Sequence, residues 1–186
     1  MDKQQAEVDI RPWADGDLPL LERLMGDPVM TEHLGGPETP EKIRQRHQRY
    51  CESSDSGKDR MFVIVVGPGK VAAGSIGFWE RVWQGQPVLE TGWSVLPEFQ
   101  NQGIGTRATA AVVERARAGG KYRFMHAFPS VDNGPSNAIC QKVGFALQAE
   151  ADFEYPPGQF MRCNDWRLDL FAGRSAFPAA LHPPQT

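Results

Sequence analysis

A strand-like segment, a glycine-containing loop and an amphipathic helix follow one another in the middle of the chain, and this succession limits the possible folds most strongly. Polar and apolar residues alternate over 88–95, which is typical of a β-strand with two different faces. A loop containing Gly103 and Gly105 comes next. An apolar stripe with helical spacing then runs over 108–116 and stops at the glycine pair 119–120. This segment predicts a strand, a loop and a helix that packs on a sheet.

The rest of the chain adds further strands and helices in mixed order. Runs of β-branched or alternating residues predict strands, and apolar residues at helical spacing after a capping residue or a proline predict helices. The strands are predicted at 8–11, 61–66, 71–79, 123–128 and 166–170, and the helices at 18–25, 40–52 and 135–143. The turn at 67–69 makes a hairpin of the two strands that flank it. The fold class is therefore mixed α/β.

Alternation gives the central strand one face that is suited to chemistry. It places Glu90, Gly92 and Ser94 together on that face. The opposite face carries the remaining residues of the strand: Leu89, Thr91, Trp93 and Val95.

Length and composition are those of one globular domain. The chain has 186 residues, of which 40% are hydrophobic and 23% charged, unlike a disordered chain. We expect a single domain over 1–170. The tail at 171–186 contains prolines and alanines without periodicity, and we expect it to be flexible.

Charge and residue distribution argue against several partner classes. The net charge is -3, and no lysine and arginine cluster is dense enough to follow a nucleic-acid backbone. No stretch approaches the roughly 20 apolar residues of a membrane span, and the first ten residues lack the apolar core of a signal peptide. The cysteines at 51, 140 and 163 lack the spacing of a zinc site or a disulfide framework. We expect a cytoplasmic protein with no nucleic acid, membrane or metal partner.

The glycine loop has the chemistry of a phosphate site. Backbone N–H groups at a helix N-terminus, together with the helix dipole, bind anionic oxygens, and glycine lets the backbone approach them closely. A P-loop would need a lysine after Gly105, where Thr106 stands. A dinucleotide fingerprint would place its glycines directly after the strand, whereas residues 96–102 intervene. An ATP- or NAD-dependent enzyme is therefore disfavoured.

Two motifs carry a resemblance to a known family. Gln100-x-x-Gly103-x-Gly105 after a strand resembles the acetyl-CoA signature of the GNAT (GCN5-related N-acetyltransferase) superfamily. Asn133-x-x-Ser136 followed by the segment 142–145 (Lys-Val-Gly-Phe) is similar to a motif of the branch that acetylates ribosomal-protein N-termini. The resemblance implies the GNAT fold, a central twisted and mainly antiparallel sheet with splayed strands four and five, flanked by helices. It also implies an acetyl-CoA co-substrate, an amine acceptor on a small molecule or peptide, and a homodimer.

The same resemblance implies which residues contact acetyl-CoA. In that fold the pantetheine arm lies between strands four and five, and here its neighbours would be Trp93, Ser94 and Val95. The pyrophosphate caps the next helix, so its ligands would be Asn101, Gln102, Gly103, Ile104, Gly105 and Thr106. Asn133 would contact the cofactor near its arm.

Acyl transfer to an amine needs a group that removes a proton, because an alkylamine has a pKa of roughly 10. Glu90 stands where histone-acetylating family members carry their base, and the alternative is an exposed strand glutamate. The leaving thiolate needs a hydrogen-bond donor. Many family members use a tyrosine where this chain has Cys140, so Ser136 is the better candidate, with helix N-capping as its alternative role. His126 is predicted to be a core or edge histidine, and a Cys140–His126 nucleophile is disfavoured.

The acceptor is not defined by the sequence. Aromatic residues that could line its channel, or pack in the core instead, are Trp79, Trp83, Phe153, Tyr155 and Phe160. Side chains that could attract a cationic amine, or simply be solvated, are Glu32, His33, Glu80 and Asp152. Two functions stay open: an N-acetyltransferase, and a non-catalytic module that binds acyl-CoA or a partner, which the absence of the family tyrosine at Cys140 supports.

Overall fold

The computed structural model of the protein describes residues 7–56, 60–155 and 157–172. Its strands are β1 (Val8–Pro12), β2 (Arg60–Val66), β3 (Val71–Trp83), β4 (Gln86–Val95), β5 (Phe124–Ala127), β6 (Ala146–Glu154) and β7 (Phe160–Asp169). Its helices are α1 (Leu18–Met25), α2 (Pro40–Ser56), α3 (Ile104–Gly119) and α4 (Gly134–Val143), with single 3₁₀ turns at Asp15–Asp17, Glu32–Leu34 and Pro97–Phe99. Within these ranges no helix is both long and apolar enough to span a membrane.

All seven strands form one sheet in the order β1-β2-β3-β4-β5-β7-β6. Every neighbouring pair is antiparallel except β4 and β5, which run parallel. The parallel pair is in register at only two positions, Leu89 with Met125 and Glu90 with His126. The rest of β4 is paired with β3 alone. The sheet is thus continuous at this point but opens beyond Glu90, as predicted for strands four and five.

Two apolar clusters cover the two faces of the sheet. The larger cluster joins the buried residues of α3, such as Ala108 and Val112, to the strand residues Ile76, Leu89 and Met125. The second joins α1 and α2 to the other face of β2 and β3, and includes the residues Leu21, Leu24, Ile43 and Val63. Burial of both faces drives the folding of this three-layer arrangement.

Most predicted elements are confirmed, but the last hairpin differs. The strand β6 was not predicted, and β7 begins at Phe160 instead of residue 166. In β6 only Phe153 is buried, so the sequence lacks the apolar alternation that marks a half-buried strand. The strand β3 also extends beyond residue 79 to Trp83, and a turn at 84–85 leads directly into β4. The predicted flexible tail lies outside the described residues from 173 onward.

Candidate active site

The opening between β4 and β5 leaves an edge of β4 backbone unpaired. Because parallel strands lie about 4.8 Å apart where they pair, Glu90 and His126 mark the last close contact of the two strands. The segment 91–95 continues past this point and pairs only with β3. Backbone N–H and C=O groups along such an edge can bind an extended ligand in the way that a further strand would.

A hydrogen-bonded loop connects the open end of β4 to α3. The side-chain amide of Gln100 donates to the carbonyl of Val95 at 2.9 Å, and that of Gln102 donates to the carbonyl of Glu98 at 2.9 Å. Glu98 is also paired with Arg23 of α1 at 2.6 Å. Gln100, the first residue of the glycine motif, therefore holds the loop against β4.

The loop ends in a backbone conformation that favours glycine. Gly103 has φ 71 and is the N-cap of α3, and a Cβ there would meet no atom within 4 Å. The first helical hydrogen bond runs from the N–H of Arg107 to the carbonyl of Gly103 at 3.1 Å. The N–H groups of 104–106 therefore lack intrahelical acceptors, as in every first turn. The Arg107 guanidinium donates to the carbonyl of Gln102 at 2.9 Å, which adds positive charge beside this helix end.

The predicted cofactor residues fall into three groups. Asn101, Gln102 and Gly103 are exposed in the loop, where they are accessible to a phosphate, whereas Ile104 and Gly105 are buried and offer only backbone to it. Thr106 is half-buried. In β4, Trp93 and Val95 pack toward the α3 cluster and Ser94 lies on the other face. Asn133 is the N-cap of α4 and its Oδ1 accepts from the N–H of Ser136 at 3.1 Å.

Glu90 is buried, so the alternative of an exposed strand glutamate is wrong. Its residue surface is 8% exposed, and its Oε2 accepts from Nη1 of Arg81 at 2.6 Å. Burial raises the pKa of Glu90 above its ordinary value, and the adjacent Arg81 guanidinium opposes that rise. Its neighbour across the hairpin is Trp79, which packs with the α1 and α2 cluster. Glu90 therefore lies on the face that α1 and α2 cover in part.

A second buried pair lies beside Glu90 on the same face. Nδ1 of His126 is 2.6 Å from Oδ1 of Asp165, and Oδ2 of Asp165 accepts from Nε1 of Trp83 at 2.9 Å. His126 was predicted to be a core or an edge histidine, and its burial agrees with the core position. No sequence pattern marked Asp165, because its strand was predicted to begin one residue later and its partners are far away in the chain.

Aromatic rings surround these charged groups. Phe128 lies 4.6 Å from both Trp83 and Phe153, measured between ring centroids, and the Arg81 guanidinium stands 4.3 Å above the Phe153 ring. Of the predicted acceptor-channel aromatics, Trp79, Trp83 and Phe153 thus share the Glu90 face, while Phe160 is 71% exposed. The hydroxyl of the fifth aromatic, Tyr155, accepts from Nη2 of Arg46 in α2 at 3.1 Å.

Two of the side chains predicted to attract an amine point away from Glu90. Glu80 alternates with Trp79 and pairs with Lys121 at 2.6 Å, and Asp152 alternates with Phe153 and pairs with Arg162 at 3.1 Å. Both therefore lie on the opposite face of the sheet. The other two, Glu32 and His33, belong to a short 3₁₀ turn after α1.

On α4, Cys140 is enclosed in the core while Ser136 is half-buried. Cys140 has no exposed surface and belongs to the larger apolar cluster, and burial raises the pKa of its thiol to about 12. A Cys140 nucleophile is therefore disfavoured by geometry as well as by chemistry. The N-capping alternative for Ser136 is wrong, because Asn133 holds the N-cap position of α4.

The model of one protein family matches most of the chain. The acetyltransferase (GNAT) domain matches residues 7–146. The chain belongs to the GNAT acetyltransferase family. This membership confirms the resemblance seen in the two motifs and makes the protein an acyl-CoA-dependent acetyltransferase. No curated protein sequence matches the chain significantly.

Solved GNAT structures share the fold along most of their length. Spermidine N-acetyltransferase from Vibrio cholerae in complex with CoA and spermine has a TM-score of 0.73 and 14% identity, over 88% of this chain and 95% of that one. An enzyme from Salmonella typhimurium that modifies the N-terminal serine of a 50S ribosomal protein has a TM-score of 0.71 and 20% identity, over 87% and 94%. An aminoglycoside acetyltransferase in complex with coenzyme A has a TM-score of 0.71 and 16% identity, over 89% and 97%.

One cluster of this GNAT domain has the composition of a metal site. Ligand atoms of Asp15, His47 and Cys51 all lie within 4.8 Å of one another. Nδ1 of His47 accepts from Nε1 of Trp13 at 3.0 Å, so the ring proton sits on Nε2, which faces Sγ of Cys51 at 3.7 Å. The Nδ1 lone pair that a metal would need is already used by Trp13, and these contacts account for His47 and Cys51 as a hydrogen-bonded pair.

Proposed function

We propose that this protein transfers an acetyl group from acetyl-CoA directly to a primary amine of a small molecule or a protein N-terminus. The observation that carries the proposal is the position of Glu90, a buried carboxylate at the last position where β4 pairs with β5, beside the opening between the two strands. A thioester lying along the open part of β4 would place its carbonyl close to this carboxylate.

The geometry of the opening supports the cofactor residues that the family resemblance implies. The pantetheine arm lies along Trp93, Ser94 and Val95, whose backbone has no strand partner on the β5 side. The pyrophosphate lies against the first turn of α3, where the exposed residues Asn101, Gln102 and Gly103 give access to the N–H groups of Ile104, Gly105 and Thr106. Asn133 contacts the cofactor near the arm, at the N-terminus of α4.

Two side chains complete the chemistry in this proposal. Glu90 takes a proton from the amine, directly or through water, and burial suits it for the task because it raises the pKa of this carboxyl. The hydroxyl of Ser136 donates to the thiolate that leaves, and it makes no hydrogen bond to the described residues. Cys140 is excluded from this role by its complete burial.

The acceptor is proposed only as a primary amine. The three relatives named above act on spermidine, on the N-terminal serine of a ribosomal protein and on an aminoglycoside, all of which present amines. In this chain the Glu90 face is lined by Arg81 and by the aromatic rings of Trp79, Trp83, Phe128 and Phe153. A flat or apolar group next to the reactive amine fits such a surface better than a polycation does.

Calorimetric titration with acetyl-CoA, CoA and ATP tests the cofactor, and thiol release against pooled amines, amino acids and peptides tests the reaction. Saturable acetyl-CoA binding with amine-dependent thiol release supports the transferase. Acetyl-CoA binding without thiol release from any pool favours the non-catalytic module. No binding of either CoA compound overturns the proposal.

A further inference from the structure

His126 and Asp165 form a buried pair that the proposed reaction does not yet use. Their side chains are 6% and 4% exposed, and Nδ1 and Oδ1 are 2.6 Å apart. Asp165 also accepts from Nε1 of Trp83 at 2.9 Å, so both of its oxygens are occupied. Isolated polar groups are costly to bury, and this pair is held by strands β3, β5 and β7 together.

The contacts of Asp165 decide the proton arrangement of the imidazole. A carboxylate only accepts hydrogen bonds, so Nδ1 of His126 carries the ring proton that bonds to Asp165. In the neutral ring Nε2 is then left with its lone pair. A carboxylate that orients an imidazole in this way prepares it to accept a proton at Nε2.

His126 is also the direct neighbour of Glu90. The two residues are register partners in the parallel pair β4 and β5, so their side chains leave the same face about 4.8 Å apart at the backbone. A positive charge on His126 lowers the pKa of Glu90, so protonation of the ring favours the ionised carboxylate. On its other side Glu90 is bound by Arg81, and the register partner of His126 in β7 is Arg167, whose guanidinium stacks on Phe124 at 4.7 Å.

The ion pair with Arg81 limits what Glu90 can do alone. A guanidinium at 2.6 Å favours the ionised carboxylate, so a proton that Glu90 accepts from the amine has to be passed on for the ion pair to re-form. Nε2 of His126, whose ring leaves the same face of the sheet, can receive that proton through one water. The surroundings are balanced in charge, with Arg81 and Arg167 against Glu90 and Asp165.

We propose that His126, oriented by Asp165, is the second proton acceptor of a two-residue relay that begins at Glu90. This inference rests on the proposed function. The lone pair of the neutral amine forms the C–N bond with the thioester carbon, and the electron pair of the C–S bond leaves with sulfur. The proton lost by the nitrogen passes to Glu90, then through one water to Nε2 of His126 and from there to solvent, while the thiolate takes one proton. Glu90 is the catalytic residue of the relay, and Asp165 is a positioning residue.

A double-mutant cycle tests the relay in the full chain, with the amine identified by thiol release. We expect Glu90→Gln and His126→Gln each to lower kcat about 10²-fold, with the KM for acetyl-CoA changed less than twofold. Two groups in one relay are not additive, so the double variant should be no more than about threefold slower than the slower single variant. A double variant slower by the product of the two single effects overturns the relay.

Chemical rescue separates proton acceptance from packing. Added imidazole should raise the kcat of His126→Ala at least tenfold. Pyrazole, which has the same shape but is a much weaker base, should leave it unchanged. Equal rescue by both rings, or by neither, overturns the proposal. His47→Gln is the matched control, because His47 accepts a hydrogen bond from Trp13 beneath α2 and has no contact with Glu90, so its kcat should be unchanged.

Asp165→Asn keeps the assay informative if the His126 variants do not fold. The amide can donate to Nδ1 and so favour the other tautomer, and we expect kcat to fall at least tenfold with the affinity for acetyl-CoA retained. Unchanged kcat in this variant overturns the relay while leaving the transferase intact. If the wild-type protein binds acetyl-CoA but releases no thiol with any amine, the proposed function and the relay both fail.

Discussion

At the scale of single residues, Glu90 combines two features that oppose each other. Its side chain is nearly buried, which disfavours the ionised form, and it accepts a hydrogen bond from Arg81, which favours it. Burial is the larger effect, so the pKa of Glu90 lies above its ordinary value. A carboxyl with a raised pKa suits proton transfer, whereas its burial lowers stability when it is ionised. This conflict is common at active sites.

The raised pKa predicts how Glu90→Gln changes the dependence of stability on pH. The folded wild type binds the Glu90 proton more tightly than the unfolded chain does, so its contribution to stability is complete below the ordinary value of 4.5 and is lost as the pH rises through the raised pKa. Glutamine has no such loss. The melting temperature of Glu90→Gln, relative to that of the wild type, should therefore increase between pH 4.5 and pH 8. A difference that stays constant over this range contradicts the burial argument.

At the scale of elements, β4, the loop and α3 act as one unit. The loop is bound back to β4 through Gln100 and to α1 through Glu98, and Gly103 lets the chain enter α3 with a left-handed residue. The helix also packs very closely on α4, because a Cβ on Gly105 would lie 2.7 Å from Cδ1 of Ile139. Gly103 is thus needed for the loop conformation, and Gly105 for the close packing of α3 on α4.

If the pyrophosphate binds at the start of α3, the same substitution should weaken acetyl-CoA binding at that end of the helix and not at the other. Gly103→Glu adds a negative charge at the proposed pyrophosphate site, so acetyl-CoA affinity should fall at least 10²-fold by calorimetry. The matched control is Gly120→Glu, since Gly120 caps the other end of α3 with φ 64, and a Cβ there would likewise meet no atom within 4 Å. Both variants should lose about 1–2 kcal/mol of stability from the left-handed backbone. Equal acetyl-CoA affinity in the two variants would exclude a site at the start of α3.

At the scale of the whole molecule, Arg46 joins the N-terminal helices to the C-terminal hairpin. It is paired with Glu38 before α2, and its Nη1 and Nη2 donate to the hydroxyls of Tyr50 at 3.2 Å and Tyr155 at 3.1 Å. Tyr155 follows β6, at the far edge of the sheet from β1. One half-buried guanidinium therefore connects parts of the chain that the sheet order keeps well apart.

Loss of this connection should depend on pH. The hydrogen bond from Arg46 lowers the pKa of Glu38, so the pair stabilises the fold above the ordinary value of 4.5 and stops doing so as the pH falls through the lowered pKa. Arg46→Met should cost about 1–3 kcal/mol at pH 7 in denaturant unfolding, and less below pH 4.5. Arg44→Met is the control on the same helix, because its pair with Glu41 is exposed and should change stability by less than about 0.5 kcal/mol. Similar losses in both variants would show that Arg46 acts as an ordinary surface charge.

Much of the fold could be predicted from the sequence, because its signals are local. Alternation along β4, the glycines after it and the apolar stripe of α3 each involve neighbouring residues, and they identified the central unit and the family. The same local rule placed Glu90 on the correct face. It failed for β6, whose residues are almost all exposed and so carry no apolar pattern.

The composition of the candidate site was decided by tertiary structure. Arg81, His126 and Asp165 come from three different strands, and no spacing rule relates residues that meet only through strand order and register. Burial likewise arises only when the layers pack, and it turned Glu90 into a carboxyl with a raised pKa and Cys140 into an enclosed thiol. The sequence by itself determined the family and the loop at the start of α3, since both depend on residues close together in the chain. Tertiary structure alone decided which charged groups share the Glu90 face, because long-range strand pairing brings them there.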